Sequence, residues 1–229
     1  MASFVLIHGS YQGGWIWQRV AGRLRSQGHT VYAPSLDGCA ERKHQVRPGI
    51  TTETQAQDIA ELLFYEDLRE AVMVGTSSGG MVLCRAAEAV RERIGRLVFV
   101  DALALLPGER IRDIVTRSTA TPSGLAAGPT REDAETRLFA DLDPATRAWA
   151  LDRYTQHPVG IYEQPVRLDN FWNQRWQADV IWCRRAQNPG EAHQRRTAER
   201  LGGAWHELDT GHYPMLSMPE ELTALLLRG

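Results

Sequence analysis

Apolar residues along this chain come in short runs, separated by longer stretches in which they recur every three or four positions. Six runs, at 4–7, 31–33, 71–74, 97–100, 180–183 and 205–208, are too short for helices and have Gly, Pro, Asp or Ser close by. They read as buried strands. The amphipathic stretches 15–27, 52–65, 78–93, 189–201 and 219–228 predict helices. Gly28 falls just past the end of the first, Thr51 or Thr52 opens the second ahead of acidic residues, and Pro189 and Pro219 occupy the first turns of the last two. Strand and helix in alternation predict an α/β fold whose parallel sheet is covered on both faces.

The rhythm breaks between 103 and 170, where no strand run appears. A loop rich in Gly, Pro, Ser and Thr (118–130) is followed by helix candidates at 131–142 and 144–154. The expectation is a core of residues 1–102 and 171–229 with a helical cap, 103–170, inserted over the carboxyl edge of the sheet. No internal repeat or interdomain linker is visible.

Composition narrows the function classes. A chain of 229 residues buries most of its surface without staples. A 43% hydrophobic content with net charge −2 excludes disorder. An isoelectric point near 6.4 gives no basic footprint for nucleic acid. No apolar run approaches the length of a membrane span. Met1-Ala2-Ser3 leads straight into the first strand without a basic region or cleavage site, so the cytoplasm is the expected location. Cys39, Cys84 and Cys183 are odd in number and far apart, which fits neither a disulfide framework nor a zinc site.

The chemistry concentrates at three places. Gly75-Thr76-Ser77-Ser78-Gly79-Gly80 lies between a strand and a helix, the context of a nucleophile elbow. Such a turn lifts the Ser77 hydroxyl above the sheet at a helix N-terminus, where negative charge is favoured. His8-Gly9-Ser10, followed by Gly13-Gly14-Trp15, ends the first strand. The amides of Ser10 and Ser78 are the candidate oxyanion donors, with Gly9 beside them. Asp209-Thr210-Gly211-His212-Tyr213-Pro214 follows the last strand, where a general base belongs in the order serine, acid, histidine. His29, His44, His157, His193 and His206 read as surface or helix residues, and His8 as a residue that orders its loop.

With these motifs and Ala40-Glu41-Arg42-Lys43-His44, Leu97-Val98-Phe99-Val100-Asp101-Ala102 and Gly211-His212-Tyr213-Pro214-Met215-Leu216-Ser217, the chain resembles α/β-hydrolases of the plant methylesterase and hydroxynitrile lyase type, in their bacterial esterase branch. The resemblance implies the α/β-hydrolase fold, with a mostly parallel sheet of about six strands and an inserted helical cap. It also implies Ser77 as nucleophile, His212 as base, and oxyanion amides from Ser10 and Ser78.

Two departures stand out. In the family the triad acid lies just after the penultimate strand, yet here that turn reads Cys183-Arg184-Arg185-Ala186-Gln187-Asn188-Pro189, with no carboxylate. Asp101, at the end of its own strand, is the first candidate replacement. Asp209, Glu191 and, as a neutral partner, Asn188 stay open. Gly9 and Tyr213 stand where the lyases carry threonine and lysine, and Thr76 stands where the esterases carry histidine and the lyases glutamate, so cyanogenic chemistry is disfavoured.

The expected activity is hydrolysis of small, apolar or aromatic carboxylic esters or lactones. The alternatives are a lyase, cyclase or dehydratase that uses His212 as a proton shuttle, and a ligand-binding pseudoenzyme. No metal or organic cofactor is implied, since no ligand cluster or dinucleotide fingerprint appears. The expected partner is a small-molecule substrate, with neither nucleic acid nor membrane, and a homodimer stays open. Trp149 and Trp172 are candidates to line an aromatic pocket, and 194–200 reads as a solvated helix face.

Overall fold

The computed structural model describes residues 1–115 and 121–228. In chain order its strands are β1 (Ser3–Ile7), β2 (Thr30–Tyr32), β3 (Ala71–Ser77), β4 (Ile94–Ala102), the short β5 (Thr121–Ser123), β6 (Ala126–Gly128) and β7 (His157–Pro158), and then β8 (Ala178–Cys183) and β9 (Ala204–Leu208). Six of them form one parallel sheet in the order β2-β1-β3-β4-β8-β9. The helices are α1 (Gln18–Ser26), α2 (Thr52–Tyr65), α3 (Gly79–Ala89), α4 (Ile111–Ile114), α5 (Arg131–Asp133), α6 (Pro144–Leu151), α7 (Gly160–Glu163), α8 (Glu191–Leu201), α9 (Pro214–Ser217) and α10 (Pro219–Leu226). None of the described helices is long and apolar enough to cross a membrane.

Alternate residues of each strand go to opposite faces, and both faces are covered, as a parallel sheet requires. Val5, Ile7, Met73, Leu97, Phe99 and Val180 join the residues of α2, α3 and α8 in one apolar cluster. Phe4, Leu6, Val74, Val98, Val100 and Ile181 join α1 and α10 in the other. The chain winds outward from β1 to β2, then crosses back to place β3 on the other side of β1. The carboxyl ends of β1 and β3 therefore flank the point where the winding reverses, the place where open α/β sheets hold ligands.

The described residues of 103–170 add no strand to this sheet, but they are not purely helical as the sequence suggests. β5, β6 and β7 make a small antiparallel sheet, with Gly124 at φ +65° in the turn between the first two. Strands of two or three residues are too short to show a period. Of the predicted loop 118–130, residues 118–120 lie outside the described residues. The predicted helix 131–142 is α5 followed by one π-helical stretch, Ala134–Leu138, closed by the Phe139 amide donating to the Ala134 carbonyl at 2.9 Å. Ala134 and Phe139 are both buried in the α1/α10 cluster, and a five-residue spacing brings them to one face only with this wider winding.

Three histidines are buried. His157, read from sequence as a surface or helix residue, lies in β7 and departs from that expectation, His193 lies in helix α8 with its side chain inward, and His8 sits in the loop that it orders. His157 Nδ1 lies 3.4 Å from Cys39 Sγ, and His193 Nε2 accepts the Ala104 amide at 3.0 Å. Burial holds them neutral. The His8 and His193 pKa values are lowered to about 4 and that of His157 to about 3. Unfolding returns each to its ordinary value near 6.5, so the unfolded chain binds more protons below that pH and stability falls as pH drops. Asp101, whose carboxyl is raised by burial, acts in the opposite sense. Urea unfolding between pH 6.5 and 5 is expected to lose up to about 1.4 kcal/mol per pH unit for each histidine, and His157→Phe to flatten the slope by about a third. A flat profile in the native protein would show that these imidazoles do not stay neutral in the fold.

Candidate active site

The site is built where strands end. β3 runs through Ser77, whose φ of +52° is a left-handed conformation, and α3 begins two residues later at Gly79. The turn is tight because the helix starts against β1. A Cβ on Gly79 would fall 2.4 Å from the His8 carbonyl oxygen, and one on Gly9 would fall 2.4 Å from the Ser77 Cβ. Glycine at both places lets the two strand ends touch.

Asp101 owes its position to a slip in the sheet. β3 and β4 pair Thr76 with Val100 and then Ser77 with Ala102, so Asp101 is an extra residue, a bulge. Ala102 accordingly joins the cluster of Leu97 and Phe99, whose parity it would otherwise not share. The bulged residue has φ +45° and no solvent exposure. Its Oδ2 accepts a hydrogen bond of 2.5 Å from His212 Nδ1, and its Oδ1 accepts the Cys183 amide at 3.5 Å. Burial raises the carboxyl's pKa, and His212 and the Cys183 amide partly offset the shift.

His212 lies in the loop between β9 and α9, its side chain 18% exposed. With Nδ1 on the carboxylate, Nε2 is the nitrogen left for other chemistry. The other candidate acids are engaged elsewhere. The Asp209 carboxylate sits 3.5 Å from Arg184 and 3.8 Å from Arg185, and Glu191 pairs with Arg195 at 2.6 Å. Asn188 lines the cavity.

On the opposite side of Ser77, the loop after β1 is held by its own side chains. The Leu36 amide donates to His8 Nε2 at 2.9 Å, and Nδ1 donates to the Gly9 carbonyl at 2.8 Å, so this neutral imidazole ties two loops together. The Gly9 amide donates to Gln12 Oε1 at 3.0 Å. Gly9 thus serves the site through its missing side chain, and its N–H is already engaged. Sequence reading missed Gln12, whose only signal was its place three residues beyond Gly9.

Ser10, Ser77, Ser78 and His212 all line one cavity of about 540 Å³. Leu103, Ile111, Val115 and Leu138 form apolar wall, and Arg137, Asp141, Arg185 and Gln187 add charged and polar groups. The aromatic residues at the cavity are Tyr11, Tyr162 and Tyr213, not the tryptophans that the sequence suggests. Trp149 packs edge-on against Trp15 at 5.3 Å, and Trp172 donates to the Leu105 carbonyl at 3.0 Å. Both are engaged in packing. Tyr162 comes from α7, in a segment without a periodic apolar pattern.

The sequence matches the Alpha/beta hydrolase family from residue 4 to residue 225. The chain belongs to that family. Relatives of this alpha/beta hydrolase include a carbendazim hydrolyzing esterase of Nocardioides sp. (strain SG-4G), 34% identical over 118 residues, 52% of this chain and 49% of that protein. Lipase LipV of Mycobacterium tuberculosis is 31% identical over 168 residues, 73% of this chain and 63% of that one. The chain thus spans about half the length of the first and under two thirds of the second. An alpha-hydroxynitrile lyase of Arabidopsis thaliana, 32% identical over 43% of this chain and 39% of its own length, belongs to the group that the motifs resemble. Among solved structures, an extracellular alpha/beta-hydrolase from a Paenibacillus species superposes with a TM-score of 0.85, covering 99% of this hydrolase and 98% of that chain. At 21% identity that likeness speaks to the fold alone.

The contact of Gly9 with Ser77 is testable. Gly9→Ala forces apart two strand ends that are both anchored, and a displacement near 1 Å costs about 10²-fold in reactivity. Phosphonylation of Ser77 by an organophosphonate fluoride, followed by intact mass, should slow by that order while the protein stays folded. An unchanged rate would show that the loop yields freely.

Proposed function

We propose that this protein is a serine-dependent carboxylic-ester hydrolase. The observation that carries the reading is the hydrogen bond from His212 to the buried Asp101 at a cavity that Ser77 also lines. Relatives named as an esterase and a lipase support ester chemistry.

His212 Nε2 removes the Ser77 hydroxyl proton as Oγ bonds to the ester carbonyl carbon. The carbonyl electron pair moves onto oxygen, where the amides of Ser10 and Ser78 hold the negative charge. Collapse restores the carbonyl and breaks the bond to the alcohol, which leaves with the proton from His212. Water then attacks the acyl-enzyme with His212 again as base, releasing the carboxylic acid and free Ser77. Asp101 keeps Nδ1 protonated and stabilises the imidazolium formed in each half. A cavity of about 540 Å³ with an apolar wall of Leu103, Ile111, Val115 and Leu138 suits small apolar or aromatic esters and lactones. The Asp101–His212 pair supports acyl transfer, which needs a stabilised imidazolium, over the lyase alternative, in which His212 only shuttles a proton.

A pre-steady-state burst with p-nitrophenyl butyrate tests the mechanism. One p-nitrophenolate per chain is expected, abolished by Ser77→Ala and slowed on the order of 10⁴-fold by Asp101→Asn. Asp209→Asn should leave it unchanged. A slow release indifferent to Ser77→Ala would overturn the reading.

A further inference from the structure

One charge in the cavity wall is answered by nothing in the protein. The two arginines there are engaged with other acids. Arg137 lies 3.6 Å from the Asp133 carboxylate, and Arg185 donates to the Asp209 carbonyl at 2.8 Å with its Nε 3.8 Å from that residue's carboxylate. Asp141 is the one carboxylate among the described residues that line the cavity, and it makes neither a hydrogen bond nor an ion pair with any of them. It is exposed, so a charged ligand can reach it.

Its place is built. Phe139 and Leu142, on either side, are buried, and Arg147 Nη2 donates to the Ala140 and Leu142 carbonyls at 2.8 and 2.9 Å. The main chain around residue 141 is thereby fixed just ahead of α6. The carboxylate occupies the side-chain space that Gly211 leaves open: a Cβ on Gly211 would fall 2.0 Å from Asp141 Oδ2. A glycine in front of His212 thus admits a carboxylate to the loop that bears the base. Its field extends inward as well. Burial pushes up the Cys183 thiol and the Tyr213 hydroxyl, and the Asp141 charge adds to both shifts.

An unanswered carboxylate at the edge of a cavity is complemented by a cation that arrives with the substrate. The mechanism says on which part of the ester. The carbonyl oxygen turns to the Ser10 and Ser78 amides, and the alcohol oxygen must reach His212 to take its proton. The alcohol part therefore lies toward the histidine loop, against which Asp141 rests. We infer that Asp141 is a specificity residue that selects esters whose alcohol part carries a protonated amine. The inference rests on the serine hydrolase reading above. The ammonium N–H donates to the carboxylate, and the apolar wall remains for the rest of the ester. That bond is made alike in the bound ester and in the transition state, so its loss falls on KM and not on kcat.

The test compares dimethylaminoethyl butyrate with isopentyl butyrate, which has a CH in place of the protonated nitrogen. Reading their ratio of kcat/KM in native and variant proteins cancels the difference in intrinsic reactivity. Asp141→Asn should lower the ratio of amine to neutral ester about 5- to 10-fold, through the KM of the amine ester. Asp152→Asn removes a carboxylate at the end of α6 that pairs with Arg131 and does not line the cavity, and should leave the ratio as it is. An unchanged ratio in Asp141→Asn, an equal fall in Asp152→Asn, or a loss of kcat shared by both esters would overturn the inference. The last result marks a carboxylate that only holds the His212 loop. Ser77→Ala separates the two readings. If it abolishes hydrolysis of isopentyl butyrate while Asp141→Asn leaves the ratio unchanged, only the cation site fails. If hydrolysis survives Ser77→Ala, the serine mechanism and the placement of the alcohol fail together.

Discussion

A carboxylate cut off from water at the end of a central strand destabilises a fold unless something nearby answers its charge. At Asp101 that answer is the imidazole of His212, 2.5 Å away and contributed by a loop 111 residues further along the chain. The pairing sets demands on both sides. β4 must bulge so that the residue after Val100 leaves the alternation of the sheet, and the backbone must accept a left-handed φ there. The loop after β9 must return across β8 to bring its histidine within reach. Two backbone bonds hold it in place, from the Arg184 amide to the Leu208 carbonyl at 2.9 Å and from the Arg185 amide to the Thr210 carbonyl at 3.0 Å.

Ser77 and Asp101 are thus a matched pair of strained residues at the ends of neighbouring strands, both with positive φ and neither a glycine. Such conformations persist where the surroundings over-determine them. For Ser77 the surroundings are Gly9 and the start of α3, and the Leu103 amide donates to its carbonyl at 2.8 Å. The carboxyl ends of β3 and β4 therefore each hold a strained residue where the proposed chemistry takes place.

What the sequence revealed tracks how local each feature is. The elbow around Ser77 and the loop carrying His212 are written in contiguous residues, as are the strand and helix alternation and the glycine after α1. Asp101 was recognisable as a candidate but not as a partner, because the bulge exists only in the pairing of β3 with β4. Burial of His157 and His193 depends on elements far away in sequence, so periodicity could not show it. β5 to β7 are too short to carry a pattern, and the tryptophans that looked available for a ligand are taken up by packing against Trp15 and the Leu105 carbonyl.

The turn after β8 carries no carboxylate, yet its backbone still braces the loop that bears His212. Its side chains divide the work: Arg184 and Arg185 reach Asp209 in that same loop, while Ala186, Gln187 and Asn188 line the cavity. On the proposed mechanism, proton relay and substrate choice are therefore inherited separately. The relay sits on β4 and beyond β9, and part of the cavity wall is written on three residues that the support of the loop does not need. Such a molecule is free to drift in what it binds there while the machinery beside it stays fixed, which makes this turn a natural seat of divergence among its descendants.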